Sequence, residues 1–167
     1  MVWLPFDLHP EYPADGLPRE QLLARYGRGM ADRMREFFGE RELSYNPHPG
    51  VVPNTQSPLR LTELARDLGR HEETHDRLMD AYWSEGQDIG DGNVLCALAA
   101  ELGLPADEVD DVLTGDRYRD RVAASTQQAA SIGANAVPAF LLERRLLVLG
   151  AQSEETFERA FEQLGAA

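Results

Sequence analysis

The clearest structural signal in the sequence is Ala136-Val137-Pro138-Ala139-Phe140, together with two apolar runs over residues 139–142 and 146–149. Only a Glu-Arg-Arg triplet separates the two runs, so they predict two adjacent strands in a hairpin. Pro138 stands at the first position of the first strand, where a proline removes no ladder hydrogen bond and where a cis bond fits a tight turn. The sequence therefore predicts a β-hairpin that is entered through a proline loop.

The two ends of the chain extend this pattern. After the hairpin, Ser153 has the side chain of a helix N-cap, and it precedes an amphipathic helix with Phe157, Ala160, Phe161 and Leu164 on one face. At the other end, apolar side chains recur at every second position of residues 2–8, which predicts a half-buried strand. Because Pro5 cannot donate a ladder hydrogen bond, we expect this strand at a sheet edge.

The middle of the chain reads as helices. Two Pro- and Gly-rich loops, residues 10–18 and 46–53, flank a helix that is predicted over residues 19–38 and interrupted by glycines. Over residues 57–133, apolar residues recur at helical spacing between Gly and Pro stops. Strands at both ends with helices between them predict an α/β layer with a helical insert.

The composition limits the kinds of partner that the chain can have. With 16 Lys and Arg against 29 Asp and Glu, the formal net charge is −13, so the chain repels phosphate backbones and anionic lipid. We therefore expect no nucleic-acid binding and no membrane association. The sequence also shows no apolar run long enough to span a bilayer and no signal-peptide pattern at its N-terminus. The expected location is the cytoplasm.

Cys96 is the single cysteine of the chain. A lone thiol excludes an intramolecular disulfide and a cysteine-based zinc cluster, and it is typical of a reducing compartment. Because Cys96 stands beside Leu95 and Leu98 in a predicted helix, we expect it on the apolar face. Burial there would raise its pKa and lower its reactivity. The sequence therefore assigns Cys96 to the core.

The sharpest short motif is His71-Glu72-Glu73-Thr74-His75, which has the H-E-x-x-H pattern. On a helix the two histidines lie one turn apart and can share a zinc ion, with Glu72 as general base. The motif follows a predicted helix break at Gly69 and is surrounded by charged residues, which favours a solvated helix face. A zinc hydrolase that uses His71 and His75 is therefore a remote alternative.

Several motifs, taken in order along the chain, carry a resemblance to a known family. They are Trp3-Leu4-Pro5-Phe6-Asp7-Leu8, Asn54-Thr55 with Arg60-Leu61, Tyr82-Trp83-Ser84-Glu85-Gly86-Gln87-Asp88-Ile89, Ala136-Val137-Pro138-Ala139-Phe140 and Gly150-Ala151-Gln152. With these motifs the chain resembles the DsbA-like thioredoxin-fold proteins, specifically their FrnE-like branch of dithiol-disulfide isomerases and polyketide-biosynthesis oxidoreductases. The similarity extends over nearly the whole chain.

The resemblance implies an architecture. The fold would be α/β, thioredoxin-like (DsbA-like), with an all-helical insert. Residues 1–56 would form the N-terminal half of the thioredoxin-like part, from its second strand onward, and residues 134–167 would form the C-terminal half. Residues 57–133 would form the insert.

The resemblance also implies an activity and a site. Members of the family carry out thiol–disulfide exchange on a protein or a small thiol, and no cofactor is expected. Val137 and Pro138 would form the cis-proline loop against which the substrate lies. Asn54 and Gln152 would stand at the rim of that loop.

The chain departs from the family pattern at its N-terminal side. The family's opening strand and the helix that bears its Cys-x-x-Cys motif have no counterpart in the sequence. We therefore expect the first strand–helix unit to be missing, the chain to be truncated and dithiol exchange to be inactive, and no residue is assigned a catalytic role. Without that unit, residues 2–8 lose their neighbour in the sheet, and a strand shift or a homodimer partner would have to close the gap.

Two other classes of function stay open beside the oxidoreductase. A glutathione-dependent isomerase or transferase of the kappa-like branch shares the scaffold and has a serine in place of the first cysteine. A non-catalytic thioredoxin-like binding module would keep the proline groove and no redox residue. The segment that is missing from the pattern would decide between these classes.

Overall fold

The computed structural model describes residues 1–27 and 29–165. In this part of the chain the strands are β1 (Leu17–Pro18), β2 (Val51–Val52), β3 (Ala139–Leu142) and β4 (Leu146–Leu149), and the helices are α1 (Arg19–Tyr26), α2 (Gly29–Gly39), α3 (Gln56–Asp67), α4 (His71–Trp83), α5 (Gly92–Glu101), α6 (Ala106–Thr114), α7 (Arg119–Ser131) and α8 (Glu154–Leu164). The predicted α/β class is confirmed, and helices dominate it. The chain divides into two compact units, one of them His9–Val122 and the other Met1–Leu8 together with the chain from Ala123 onward.

The unit His9–Val122 is built on a helical core. Helices α3 to α6 bring the apolar residues of their inner faces into one cluster, whose buried members are Leu61, Leu64, Ala65, Leu78, Ala81, Ile89, Leu95, Leu98, Ala99, Leu104, Val109 and Val112. Each leucine buried in this way contributes about 1.5–3 kcal/mol relative to an exposed one. The predicted helical periodicity of this region is confirmed. The predicted division of the chain at residues 56 and 133 stays a prediction.

A buried arginine is held inside this helical core. Arg60 is 3% exposed, and its guanidinium donates to the carbonyls of Val112, Gly115 and Arg117 at the end of α6 and just after it. Those carbonyls lie where a helix leaves its last acceptors without an intrahelical partner. Arg60 therefore caps the C-terminal end of α6 and links that end to α3.

A two-stranded antiparallel sheet, β1 with β2, lies at the start of the same unit. It pairs Leu17 with Val52 and Pro18 with Val51. The Arg19 side chain links the start of α1 to the loop before β2, since its Nε donates to the His48 carbonyl at 2.6 Å. These two strands are too short for a periodicity to show, and the sequence did not predict them.

The second unit contains the predicted hairpin. Strands β3 and β4 pair antiparallel, with Phe140 opposite Val148 and Leu142 opposite Leu146. The ring of Phe140 meets that of Phe157 on α8 at a centroid distance of 5.0 Å, edge to face. Ser153 accepts a hydrogen bond from the Thr156 amide at the start of α8. The hairpin, the helix and its cap are therefore as predicted.

The strand predicted over residues 2–8 is wrong. This segment forms no ladder in the structure. Instead, the Pro5 carbonyl accepts from the Ser125 hydroxyl at 2.7 Å, and the Asp7 amide donates to the Thr126 hydroxyl at 2.9 Å. Apolar residues at every second position form a strand only where a neighbouring strand binds the backbone N–H and C=O groups. Here the Ser125 and Thr126 side chains of α7 bind two of these groups instead.

The helices of the described residues are too short to cross a membrane. Helices α4 and α7 have 13 residues each, whereas a membrane-spanning helix needs about 20 apolar residues. No helix in residues 1–27 and 29–165 is long and apolar enough for a span.

Candidate substrate-binding site

The site begins where α7 ends. Gly133 adopts a positive φ of 91°, which favours glycine. Its amide and that of Ala134 turn back to the carbonyls of Ala130 and Ala129, each at 3.0 Å. Ala134 is buried. The last turn of the helix therefore fixes the point from which the proline loop departs.

The proline loop follows at once and leads into β3. The Val137–Pro138 peptide bond is cis, as expected from the sequence. The Pro138 carbonyl accepts a hydrogen bond of 2.7 Å from the Gly150 amide, and Gly150 has a φ of 79° that favours glycine. Val137 is 52% exposed. The turn at Gly150 thus fixes the loop and leaves Val137 at the surface.

The strand register shows which backbone groups of β3 face outward. The bond between Pro138 and Gly150 extends the ladder by one pair, and in an antiparallel ladder alternate pairs are hydrogen-bonded. Phe140 and Val148 are then hydrogen-bonded to each other. The N–H and C=O groups of Ala139 and Leu141 therefore point away from β4. Those of Val137 do the same, because Val137 lies two residues before Ala139 and backbone direction alternates from one residue to the next. Among the described residues, Val137 has no hydrogen-bond partner.

The side chains on this edge are apolar and exposed. Phe140 faces α8 through its contact with Phe157, so Ala139 and Leu141 lie on the opposite face. Leu141 is 46% exposed. The free edge of β3 therefore offers outward backbone groups beside an apolar surface. Sequence reasoning did not identify this edge, although the register of the predicted hairpin would have indicated it.

Gln152 lies in the same unit as the proline loop. Its side chain is exposed and its Nε2 donates to the Leu149 carbonyl at 2.7 Å. It stands directly after the Gly150 turn whose amide binds Pro138. The structure therefore brings three of the four predicted site residues into one segment of the fold. That Gln152 contacts a substrate stays a prediction.

Asn54 lies in the other unit, between β2 and α3. Its Nδ2 donates to the Tyr12 carbonyl and its Oδ1 accepts from the Gln56 amide, both at 2.9 Å. These bonds tie the N-terminal end of α3 to the preceding loop. The Asn54 side chain thus stabilises the start of α3, and its place at the substrate rim stays a prediction.

Cys96 is exposed, so its assignment to the core is wrong. The buried residues of α5 are Leu95, Leu98 and Ala99, which share one side of the helix. The next residue after Leu95 is turned by about 100° along the helix, and this rotation carries Cys96 out of the apolar side. Adjacency to two leucines in sequence did not predict which side the thiol occupies.

The H-E-x-x-H motif forms no metal site in the structure. An Arg66 guanidinium nitrogen lies 2.8 Å from His71 Nε2, and the rings of His71 and His75 stack at 6.1 Å. Burial, and then the charge of Arg66, lower the pKa of His71 below its usual 6.5. Within the described residues no three His, Cys, Asp or Glu side chains are grouped for a metal ion. The zinc alternative is not favoured.

Comparison with known families and sequences gives a consistent result. The model of the DSBA-like thioredoxin domain matches residues 1–162. The uncharacterized protein YwbO of Bacillus subtilis is 26% identical over 162 residues, which cover 95% of this chain and 78% of that protein.

Two solved structures are similar to the chain. A probable DsbA oxidoreductase from Streptomyces coelicolor superposes with a TM-score of 0.85 and 31% identity, covering 97% of this chain and 74% of that one. The cytosolic disulfide reductase DsbM from Pseudomonas aeruginosa, solved with GSH, has a TM-score of 0.53 and 28% identity, covering 70% of this chain and 61% of that one. The Streptomyces protein therefore shares nearly all of the described fold.

Proposed function

The chain belongs to the DSBA-like thioredoxin domain family of thiol–disulfide oxidoreductases, and from this premise we propose that it binds a thiol or disulfide substrate along the free edge of β3. The observation that supports the proposal is the row of outward backbone groups at Val137, Ala139 and Leu141. An unpaired strand edge accepts an extended peptide backbone, and the neighbouring side chains then select it.

The chain would bind this substrate without completing dithiol exchange alone. In such exchange a thiolate attacks one sulfur of a disulfide, a new S–S bond forms and the other sulfur leaves as a thiolate. A dithiol catalyst then needs a second cysteine to resolve the mixed disulfide, and this chain has one cysteine. We therefore assign Val137 and Pro138 to substrate binding and no residue of this chain to dithiol catalysis.

Glutathione is the small thiol that we propose as a ligand. It is a short peptide, so its backbone can pair with the Val137 amide and carbonyl in the way that an added strand does. The similarity to a disulfide reductase solved with GSH supports this choice. That relative is cytosolic, and a cytoplasmic location for this chain agrees with its lone cysteine.

The binding proposal is tested with S-methylglutathione, which cannot exchange disulfides with Cys96. Val137→Glu places a carboxylate beside the edge and should repel the carboxylates of the ligand, so titration calorimetry should show at least about fivefold weaker binding. Val2→Glu is the matched control, since Val2 is 77% exposed, and its affinity should be unchanged. Equal affinity for Val137→Glu and the original chain would refute the site.

The catalytic part of the proposal is tested by insulin reduction with dithiothreitol. We expect no acceleration by this chain. Acceleration that disappears in Cys96→Ser would assign exchange chemistry to the exposed thiol of α5 and overturn the proposal.

A homodimer that uses the same β3 edge is a competing arrangement. Light scattering at the concentration of the titration detects it. A dimer that dissociates as S-methylglutathione binds would place the second copy on this edge.

A further inference from the structure

A groove runs along the other edge of the hairpin, between β4 and α8. It has a volume of about 430 Å³. All four residues of β4 line it, and so do Gln152, Thr156, Arg159, Ala160 and Gln163. Because consecutive residues of a strand point to opposite faces, a groove lined by all four must follow the strand's edge.

The backbone of β4 offers hydrogen-bonding groups to this groove. By the same register as above, the N–H and C=O of Leu147 and the N–H of Leu149 point away from β3. The Leu149 carbonyl is capped by the Gln152 side chain at 2.7 Å, which agrees with its outward direction. The edge of β4 can therefore receive a further strand.

The charge of the groove differs from that of the chain as a whole. The chain has a formal net charge of −13, yet among the described residues that line the groove the only charged one is Arg159. Its guanidinium forms an i,i+4 ion pair with Glu155 at 3.8 Å, and the two side chains are 66% and 76% exposed. An ion pair so exposed contributes little to stability, so a partner carboxylate can compete with Glu155 for the guanidinium. Arg144 and Arg145 immediately precede β4, and Arg145 forms an ion pair with Glu143 at 3.7 Å. Arg159 is thus the charged group that lines the groove itself, while Glu155 and Glu143 lie beside the lining residues.

From these observations we infer that the β4 edge is a docking groove for an extended peptide segment of a partner protein that carries acidic side chains. The partner's backbone pairs with Leu147 and Leu149, and its carboxylates meet Arg159. This surface is separate from the β3 edge, so the docking inference does not depend on the substrate-binding proposal.

The test is an NMR titration with an acetylated and amidated hexapeptide of alternating valine and glutamate. We expect amide shifts at Leu147 and Leu149 and a weaker response to the corresponding valine–lysine peptide. Arg159→Glu should weaken glutamate-peptide binding about fivefold or more. Arg35→Glu is the matched control because Arg35 is also 66% exposed and does not line the groove, and it should bind as the original chain does.

A charge exchange keeps the test decisive. The lysine peptide should bind Arg159→Glu more tightly than it binds the original chain, a gain that a damaged fold would not give. Failure to bind, shifts at Val137, Ala139 and Leu141 instead, or equal losses in both variants would overturn the inference. Amide shifts at Leu147 and Leu149 on diluting the protein alone would also overturn it, because a second copy would then occupy the groove.

Discussion

The helical core of His9–Val122 and the hairpin of the other unit use apolar residues in different ways. In the helical core, Leu61, Leu64 and Leu95 are 0% exposed, and the buried Arg60 beside them is hydrogen-bonded to backbone carbonyls. In the hairpin, Leu141 and Val137 remain about half exposed, and both strand edges have outward backbone groups. The first arrangement stabilises the fold, whereas the second leaves hydrogen-bonding capacity for a ligand.

This contrast predicts where substitutions will be costly. A residue that is surrounded on every side loses packing and leaves a cavity when it is truncated. A residue at an open edge loses little, since water already covers part of it. Substitutions in the helical core and at the hairpin edge, together with the titration of His71, measure this contrast.

Leu64→Ala should lower the free energy of unfolding by about 3 kcal/mol, since it opens a cavity between α3 and its neighbours. Leu141→Ala, the same change at the hairpin edge, should cost less than about 1 kcal/mol. Urea denaturation of both variants measures the difference. Similar losses at the two positions would remove the distinction between core and edge.

Arg60→Met should lower the free energy of unfolding by about 2 kcal/mol, because the carbonyls of Val112, Gly115 and Arg117 lose their donor in a buried place. Arg119→Met removes a charge from an arginine that is 58% exposed and should change stability by less than about 0.5 kcal/mol. If the two variants unfold at the same urea concentration, the guanidinium of Arg60 is not what holds the end of α6.

Thr74→Val should raise the free energy of unfolding by about 1 kcal/mol. Its hydroxyl is fully buried and has no hydrogen-bond partner among the described residues. Thr62→Val is the control, since its hydroxyl donates to the Leu59 carbonyl at 2.7 Å, and it should lower stability by a similar amount. A loss of stability in Thr74→Val as well would show that the Thr74 hydroxyl is satisfied.

The smallest effect is a pH dependence at His71, whose pKa burial and Arg66 lower from 6.5. As the pH falls below about 6.5, the unfolded chain takes up a proton that the folded one resists. The free energy of unfolding therefore falls until the pH reaches the lower folded pKa, and it is fully regained above 6.5. Urea titrations between pH 5 and 8 should show this slope, and it should be absent in His71→Gln. A slope of the same size in both would place the titrating group elsewhere.

The features that the sequence predicted correctly are those that neighbouring residues determine. Helices α4 and α5 follow from apolar spacing and from caps such as Asp91 at the start of α5, which accepts from the Asn93 amide at 2.7 Å. The hairpin follows from two apolar runs and a short charged turn. The cis bond before Pro138 is implied by the resemblance to the family's cis-proline loop, since a proline at the entry to a strand allows a cis bond but does not require one.

The features that it did not predict depend on residues far apart in the chain. Residues 2–8 have strand spacing, but Ser125 and Thr126 take their backbone groups, a contact that crosses more than a hundred positions. Asn54 matches a family motif, yet its amide is engaged by Tyr12 and Gln56. The groove beside Arg159 exists only once α8 lies against β4.

Binding of the thiol or disulfide substrate at the β3 edge can be observed by an amide-resolved NMR titration with S-methylglutathione. If the substrate binds there, the largest shifts occur at Val137, Ala139 and Leu141. Shifts confined to residues 9–122, with these three amides unmoved, would contradict it.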